Sequence, residues 1–257
     1  MQRREWSSLA DWFDRDQGDD GDLWHRTLIF PGILKVIGKV SGRDILDVGC
    51  GNGSLARILS RMGNRVTGID GSPGIIEHAK ARETAHPLGA TYFASDAASL
   101  SMFPANSFDL VTSCMALMDM PDAAGAIKEM GRVVRRSGRC VMLFSHPCFD
   151  IPKGSSWLTE WGFGHTPSIS LRLERYREVF WEWLKWSMTE DYEMQAYHRP
   201  LSWYFRAIRE AGLAVTMLDE PEPTKEFLEQ SGSAAAVEKF PLHCVIEARP
   251  MAPPRQS

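Results

Sequence analysis

A glycine-rich turn at residues 47–53 is the part of this sequence best suited to chemistry. An apolar stretch at residues 45–48 runs into Asp47-Val48-Gly49-Cys50-Gly51-Asn52-Gly53, and a helical pattern follows. Glycines let a backbone turn sharply and pass close to a bound cofactor. The spacing is Gly-x-Gly-x-Gly, whereas the third glycine of the dinucleotide fingerprint falls one residue later. The turn offers a diphosphate no evident cradle, and Asp47 would suit a ligand that carries positive charge.

Two more acids stand at the ends of the next two apolar stretches. Asp70 comes 23 positions after Asp47, where a carboxylate can accept both hydroxyls of a ribose. A dinucleotide enzyme would carry this acid too. Asp96 follows the stretch at residues 91–94 and precedes the small Ala97. A carboxylate there can take the amino group of an adenine, while a backbone N–H meets a ring nitrogen. Together the three acids would supply the polar contacts that one nucleoside needs.

Alternating apolar and amphipathic segments predict the elements that position these acids. Short apolar runs followed by helical patterns are typical of strand–helix–strand units in an α/β fold with a doubly wound, mostly parallel sheet. The predicted strands are residues 45–48, 65–69, 91–94, 108–113, 139–144, 213–218 and 243–248, and the predicted helices are residues 54–62, the segment from Pro73, residues 123–134 and residues 201–211. Such sheets bind ligands beyond the carboxyl ends of their strands, where the acids stand.

The same pattern divides the chain into five segments. After Phe144 the alternation lapses for about fifty residues, and this insert follows a strand on the side where ligands bind, so we expect it to act as a lid or in substrate recognition. The predicted segments are an N-terminal helical cap (1–40), a cofactor-binding core (41–145), the lid insert (146–200), the completion of the core sheet (201–249) and a disordered tail (250–257).

Composition narrows the class of protein. The 257 residues include 44% hydrophobic ones, enough for a proper core, and the formal charge is −4, without the positive balance that binding to a phosphate backbone usually needs. No apolar run approaches a membrane span of about 18 residues, and the N-terminus has no apolar signal core. The five cysteines form no Cys-x-x-Cys pair for zinc or redox chemistry. We expect a cytoplasmic protein with no metal, no membrane contact and no nucleic-acid partner.

In order along residues 44–145, the sequence resembles motifs I to IV of class I S-adenosylmethionine (SAM)-dependent methyltransferases. The motifs are the glycine turn, Gly68-Ile69-Asp70-Gly71-Ser72, Ser95-Asp96-Ala97 and Phe108-Asp109-Leu110-Val111-Thr112-Ser113. The resemblance implies a Rossmann-like, seven-stranded sheet whose last strand is antiparallel. It implies SAM as cofactor and S-adenosyl-L-homocysteine as product. By position, Gly49, Gly51 and Gly53 would line the methionine part and Asp70 would take the ribose. Asp96 with Ala97 would meet the adenine, and Ser113 and Cys114 would lie beside the sulfonium. Asp47, Gly71 and Ser72 complete the predicted cofactor-binding residues. An NAD enzyme is the alternative that the glycine spacing disfavours.

The flanking segments resemble bacterial small-molecule methyltransferases of the domain 11 or 25 type. The residues that carry this are Trp12-Phe13-Asp14, Asp22 with His25, Ser145-His146-Pro147 and Tyr197-His198-Arg199-Pro200-Leu201-Ser202. That group commonly has tyrosine where this chain has Phe13, so a hydroxyl contact is missing here. Enzymes that methylate exocyclic amines of DNA bases place Asn/Asp-Pro-Pro-aromatic after the fourth strand, whereas this chain has Cys114-Met115-Ala116-Leu117. The Pro147-Cys148 pair follows the fifth strand and not the fourth, which argues against a cytosine-C5 enzyme.

Aromatic residues predict the kind of acceptor. All nine tryptophans lie outside the cofactor core, and six of them fall in the insert and the helix after it: Trp157, Trp161, Trp181, Trp183, Trp186 and Trp203. Aromatic walls suit a flat or apolar acceptor, although the rings could equally hold the lid together or form a dimer surface. The predicted substrate-binding residues are Phe13, His25, Trp157, Trp183 and Trp203, and the protein is expected to be a monomer or a homodimer.

Histidine is the natural base for an acceptor that must lose a proton. Methyl transfer from a sulfonium is an in-line displacement, so an enzyme mainly aligns the nucleophile and excludes water. Such a base needs a pKa near neutrality, as histidine has. The two candidates are His146, just past the fifth predicted strand, and His198, just before the next predicted helix. The expected function is methyl transfer to O or N of a small aromatic or apolar metabolite. The alternatives are an RNA- or protein-directed methyltransferase and a non-catalytic SAM-binding module.

Overall fold

The structure of the chain, a computed structural model, describes residues 2–3, 5–160, 168–185 and 192–252. A seven-stranded sheet occupies its centre. In spatial order the strands are β4 (Thr91–Ala94), β3 (Arg65–Asp70), β2 (Asp44–Val48), β5 (Phe108–Cys114), β6 (Val134–Ser145), β12 (His243–Pro250) and β11 (Leu213–Asp219). The pairs from β4 to β6 are parallel, and β12 is antiparallel to both of its neighbours. The predicted α/β class, the seven strands and the antiparallel last strand are confirmed.

Helices cover both faces of this sheet. They are α1 (Ala10–Gln17), α2 (Phe30–Ile37), α3 (Ser54–Arg61), α4 (Pro73–Ala85), α5 (Ala123–Val133), α6 (Leu201–Glu210), α7 (Lys225–Gln230) and α8 (Ala234–Val237), with a 3-10 turn at Trp6–Leu9 and a π turn at His25–Ile29. Side chains alternate along each strand, so Leu46 packs in the cluster with α5 and α6, while Ile45 packs in the cluster with α2, α3 and α4. The sheet is therefore doubly wound, as predicted.

Strand β6 is longer than the sequence indicates. The predicted strand starts at residue 139, but in the structure β6 begins at Val134, directly where α5 ends. Val134 pairs with Phe108, and an irregularity in the register separates this pair from Leu110–Arg139. The polar run Arg135-Arg136-Ser137-Gly138 hides the early start, because two of its residues face solvent.

The insert is built mostly of β-strands, which its sequence does not indicate. Strand β7 (Ser155–Glu160) pairs antiparallel with β8 (Ser168–Leu173), and β9 (Phe180–Lys185) pairs antiparallel with β10 (Tyr192–His198). The short N-terminal strand β1 (Gln2–Arg3) adds to β10 in parallel. The insert and the N-terminal segment are thus joined through one small sheet, and Leu9 packs there against Tyr192 and Met194. The proposed segment limits stay predictions.

Some expectations fall on residues that the structure does not cover. Trp161 and Trp186 lie outside the described residues, as does the tail from residue 253, while Pro250 still belongs to β12. Within the described ranges, no helix combines the length and the apolar character that crossing a membrane requires.

Candidate cofactor cleft

A cleft of about 510 Å³ lies beyond the carboxyl ends of the parallel strands. Its walls are the turns that follow β2, β3, β4 and β5, and the N-terminal segment closes it with Trp6 and Phe13. The two rings meet edge to face, with centroids 5.4 Å apart. Of the predicted cofactor residues, those that line the cleft are Gly49, Gly51, Asp70, Gly71, Ser72, Asp96, Ala97 and Cys114. Asp47, Gly53 and Ser113 lie behind this lining.

The glycine turn packs too tightly for side chains. Gly49 has φ +71°, and a Cβ built there would overlap the Cβ of Ala116. At Gly51 a Cβ would meet the ring of Phe13 at 3.1 Å. The turn is held down by Ile69, whose carbonyl accepts from the N–H groups of Gly49 and Cys50 at 2.8 and 2.9 Å. Bare backbone therefore faces the cleft, as close approach to a ligand requires.

Asp70 is held ready for a ligand by two backbone groups. Its Oδ2 accepts from the N–H of Gly51 at 3.1 Å, and its Oδ1 accepts from the N–H of Ser72 at 2.9 Å. Burial raises the pKa of this carboxyl, and the two N–H groups oppose the rise. The carboxylate is thereby fixed in one orientation at the end of β3.

Asp47 supports the turn from behind. It is 1% exposed, and its Oδ1 accepts from the Thr112 hydroxyl at 2.8 Å. Its Oδ2 has no hydrogen-bond partner among the described residues. Burial raises the pKa of Asp47 to about 7, with a further contribution from the charge of Asp70. Burying a polar atom without a hydrogen-bond partner costs free energy. The Oδ2 of Asp47 therefore favours a ligand that brings a hydrogen-bond donor or a positive charge to this end of the turn.

Of the remaining predicted cofactor residues, Asp96 and Cys114 line the cleft and Ser113 lies behind its lining. The side chain of Asp96 is exposed at the far end of the cleft, and its Oδ1 accepts from the N–H of Ala98 at 2.9 Å. Ser113 is fully buried, and its hydroxyl has no hydrogen-bond partner in the described part of the chain. Cys114 lines the cleft beside it.

The charge of the cleft is one-sided. Five acidic side chains line it: Glu5, Asp70, Asp96, Asp119 and Asp122. None of the described lining residues is a lysine, arginine or histidine. A phosphate-bearing ligand would find no cation there, whereas a cationic ligand would be favoured. The residues present therefore fit SAM, which carries an ammonium and a sulfonium, and do not fit a dinucleotide.

Sequence reasoning missed the segment 115–121 as a wall of the cleft. Leu117 and Met118 are buried in the core, but Met115, Asp119 and Met120 line the cleft. Met115 has φ +53°, unusual for a residue with a side chain, and its N–H donates to the carbonyl of Leu143 at 2.8 Å. The one signal for this wall is a single acid, Asp119, within an apolar run directly after a strand.

The proposed catalytic histidines lie beside the cleft and not in its lining. His146 is 3% exposed; Cys148 N–H donates to its Nδ1 at 3.1 Å, so the neutral ring carries its proton on Nε2, 3.1 Å from Glu220 Oε1. His198 is 2% exposed, and its Nε2 donates to the carbonyl of Tyr176 at 2.9 Å. Burial lowers the pKa of both histidines. Both rings are therefore neutral near pH 7.

A second, smaller cavity of about 220 Å³ lies on the other side of segment 115–121. His198 lines it, together with Ser145 and Pro147 on either side of His146. The rest of its lining combines apolar and aromatic side chains with three charged ones: Met118, Pro152, Leu184, Ala196, Tyr197, Tyr204, Asp150, Lys185 and Arg199. Among the described residues, no group of three or more His, Cys, Asp or Glu side chains is arranged to hold a metal ion.

The predicted substrate residues separate into those near the cleft and those away from it. Phe13 lines the cleft. His25 is 20% exposed at its side chain, and its Nδ1 lies 2.8 Å from Asp22 Oδ1. Trp157 lies over Phe240, with ring centroids 5.5 Å apart, and Trp183 meets Trp181 edge to face. Trp203 lies 4.9 Å from the guanidinium of Arg199. The structure brings these three tryptophans into neither cavity.

Comparison with known proteins agrees with this geometry. Residues 46–142 match the methyltransferase domain family. Aklanonic acid methyltransferase DauC of Streptomyces sp. (strain C5) is 35% identical over 120 residues, 46% of this chain and 54% of that protein. A ubiquinone biosynthesis O-methyltransferase of Alkalilimnicola ehrlichii is 33% identical over 109 residues, 42% of this chain and 44% of that protein. The chain thus spans about half the length of these curated relatives.

A solved structure shows the same fold over more of the chain. The SAM-dependent methyltransferase from Mesorhizobium loti superposes with a TM-score of 0.71 at 24% identity, covering 86% of this chain and 96% of that one. The family match falls on the segment that carries the glycine turn with Asp47, Asp70 and Asp96. Residues 46–142 are a methyltransferase domain, and over most of the chain the fold is that of a SAM-dependent methyltransferase.

Proposed function

We propose that this protein transfers the methyl group of SAM to an oxygen or nitrogen of a small aromatic or apolar metabolite. The observation that carries the proposal is the cleft itself, where backbone of the glycine turn faces the ligand space and the described lining residues include five acids and no basic side chain. SAM is a nucleoside with two cationic groups, so it matches both features. NAD shares the nucleoside but brings a diphosphate, for which the lining holds no counter-charge.

The proposed contacts follow from where the side chains stand. Asp70, already oriented by Gly51 and Ser72, would accept the ribose hydroxyls. Asp96 and the backbone of Ala97 would meet the adenine. The glycine turn, with the orphan oxygen of Asp47 behind it, would hold the methionine part.

When bound, SAM supplies an electrophilic methyl group on a sulfonium. The protein then has three tasks: to orient the acceptor, to exclude water and to find a place for the acceptor's proton. Trp6 and Phe13 cover the cleft from the N-terminal side and would exclude water there.

We assign the acceptor to the second cavity, at the carboxyl end of β6. Its volume of about 220 Å³ and its apolar and aromatic lining residues, which stand beside a few charged ones, suit a compact ring-bearing molecule. The similarity to aklanonic acid methyltransferase supports a small-molecule acceptor, and the similarity to the ubiquinone biosynthesis O-methyltransferase supports oxygen as the methylated atom. Segment 115–121 lies between the two cavities, so the acceptor has to pass or displace part of this wall.

His146 and His198 stay our candidates for the proton of the acceptor. Both are neutral because burial lowers their pKa, and a neutral imidazole is the form that accepts a proton. His198 lines the second cavity. His146 would have to release the hydrogen bond that its Nδ1 accepts from Cys148 N–H before it could take a proton, and Glu220 would then stabilise the charged ring. The acidic cleft and the net charge of −4 favour a small molecule over a nucleic acid as partner.

Calorimetric titration of SAM, S-adenosylhomocysteine and NAD tests the cofactor part, beside an Asp70→Ala variant. Micromolar binding of SAM that the variant loses is expected, with no binding of NAD. Single-ring phenols and arylamines would then be incubated with methyl-labelled SAM to detect transfer. Binding of NAD, or of neither adenosine–sulfur compound, would remove the basis for the proposal.

A further inference from the structure

Asp119 is a cleft residue to which none of the motifs gives a role. It follows β5 by five residues and lies in the wall formed by segment 115–121. Its Oδ1 is buried and has no hydrogen-bond partner among the described residues. The two other buried acids of the site differ: Asp70 accepts from two N–H groups, and Asp47 accepts from a hydroxyl. Within the described part of the chain, Asp119 Oδ1 therefore has no protein donor that orients it.

The charge of Arg199 acts on this carboxyl, but the hydrogen bonds of its guanidinium hold the backbone around Asp119. Arg199 is 4% exposed, and its guanidinium donates to the carbonyls of Leu117, Met120 and Pro121 at 3.3, 2.7 and 3.0 Å. These carbonyls stand on both sides of Asp119 in the chain. The arginine thus fixes the wall that carries Asp119, while its hydrogen bonds go to the backbone. Burial and the charge of Asp70 raise the pKa of Asp119, and Arg199 opposes the rise.

Asp119 is connected to both the glycine turn and Asp70. The N–H of Asp119 donates to the carbonyl of Ala116 at 2.9 Å, and the Cβ of Ala116 occupies the space beside Gly49. Asp119 and Asp70 line the same cleft, and the charge of Asp70 acts on Asp119. The proposed function assigns Asp70 to the ribose and the turn at Gly49 to the methionine part. In SAM the sulfonium is the atom that joins these two parts.

Resting on that proposed function, we propose that Asp119 recognises the positive charge of the sulfonium and contributes a preference for SAM over S-adenosylhomocysteine. An unpaired buried carboxylate gains most from a ligand that brings a positive charge to it. Methyl transfer removes this charge from sulfur, so the same carboxylate holds the thioether product less well. Asp119 then favours release of the product and entry of fresh donor.

The test compares two ligands on two variants by calorimetry and needs no acceptor. In Asp119→Asn the ratio of the Kd of S-adenosylhomocysteine to the Kd of SAM should fall about tenfold from its wild-type value, which corresponds to 1.4 kcal/mol. Asp122→Asn is the matched control, because it removes one charge from the same cleft at a helix N-cap that asparagine also serves. That control should leave the ratio within about twofold. Asp119→Ser provides a second substitution should the asparagine variant not fold.

Each other outcome has a definite meaning. Equal weakening of both ligands would place Asp119 at the ammonium, which they share, and would overturn the inference. Unchanged affinities for both would overturn it as well, because Asp119 would then not face the donor. Absence of SAM binding by the wild type would defeat the proposed function and this inference with it, whereas the first two outcomes leave the proposed function intact.

Discussion

The carboxylate of Asp70 accepts a hydrogen bond from the backbone N–H of Gly51 at 3.1 Å, and this contact ties the end of β3 to the glycine turn after β2. The acid therefore serves two elements of the site. It presents oxygens to the cleft, and it fixes the turn that forms the opposite wall. Substitutions that separate these tasks should have different effects.

We expect Asp70→Ala to weaken SAM binding about a hundredfold and Asp70→Asn about tenfold. The amide oxygen of asparagine still accepts from Gly51, but it lacks the charge that makes hydrogen bonds to ribose hydroxyls strong. Calorimetry with SAM measures both variants. Asp109→Asn is the control, since Asp109 lies at the other end of the sheet and pairs with Arg135. Equal losses in the two Asp70 variants would mean that the contact with Gly51 does not matter.

A side chain at Gly49 should be far more damaging than one at Gly71. In Gly49→Ala the new Cβ overlaps Ala116, and the residue must keep φ +71°, so we expect a loss of about 3 kcal/mol in the free energy of unfolding. At Gly71 a Cβ finds nothing within 4 Å and φ is not left-handed, so Gly71→Ala should cost less than about 1 kcal/mol. Urea unfolding of both variants measures the two losses in the free energy of unfolding. Similar losses would contradict the tight packing at Gly49 and the open space at Gly71.

We expect substitutions of Arg199 to lower the free energy of unfolding, and to lower it more when more of its hydrogen bonds to backbone carbonyls are lost. Arg199→Ala leaves three backbone carbonyls of segment 115–121 without their donor, and we expect a loss of about 3 kcal/mol. Arg199→Lys keeps the charge but cannot reach all three, so it should lose about half as much. Urea unfolding gives both values. SAM affinity should fall in the same order, because the wall that carries Asp119 loosens; unchanged affinity in Arg199→Ala would show that the wall holds without it.

The cofactor half of the site can be predicted from the sequence because its determinants are local. A glycine turn, and an acid directly after an apolar run, carry their meaning in a few neighbouring residues, and the sheet then aligns the strand ends. Asp70 and Gly49 lie in the cleft for this reason. The parallel part of the topology also follows, since α3, α4 and α5 each return the chain to a parallel neighbouring strand.

The part of the site proposed for the methyl acceptor cannot be predicted from the sequence in the same way. His146 and His198 stand at the expected strand and helix ends, but burial and contacts with Cys148 and Tyr176 set where their rings point. Trp203 follows the insert in sequence, yet it packs beside Arg199. These positions depend on how β-strands of the insert pair with each other and with β1, and no short-range pattern encodes that pairing.

His243 should make stability depend on pH below neutrality. It is 6% exposed, and burial lowers its pKa to about 3, with the nearby charges of His25 and His146 adding to the effect and Asp22 opposing it. The unfolded chain takes up a proton near pH 6.5, but the folded chain does not do so until about pH 3. The contribution of a neutral His243 is therefore complete above about pH 6.5 and is lost as the pH falls toward 3.

We expect the free energy of unfolding of the wild type to fall, relative to that of His243→Gln, by about 2 kcal/mol between pH 7 and pH 5. Other titrating groups, among them Asp47 and Asp70, are present in both proteins and cancel in the difference. Urea unfolding of both proteins at pH 7 and pH 5 measures this difference in the free energy of unfolding. Parallel curves for the two proteins would mean that His243 titrates equally in the folded and unfolded chains.

Asp119→Asn should stabilise the ligand-free protein while it weakens the response to SAM. Because burial raises the pKa of Asp119, ionising it in the folded chain costs free energy, and this cost grows as the pH rises from about 4 through the raised pKa. The gain in the variant should therefore be larger at pH 8 than at pH 5, on the order of 1 kcal/mol. Thermal melting at both pH values, with and without SAM, measures the gain and the shift that SAM produces. A carboxylate kept at a cost to stability, and repaid when a cation binds, is what a ligand-binding role requires; a variant that melts lower at both pH values would assign Asp119 to the fold instead.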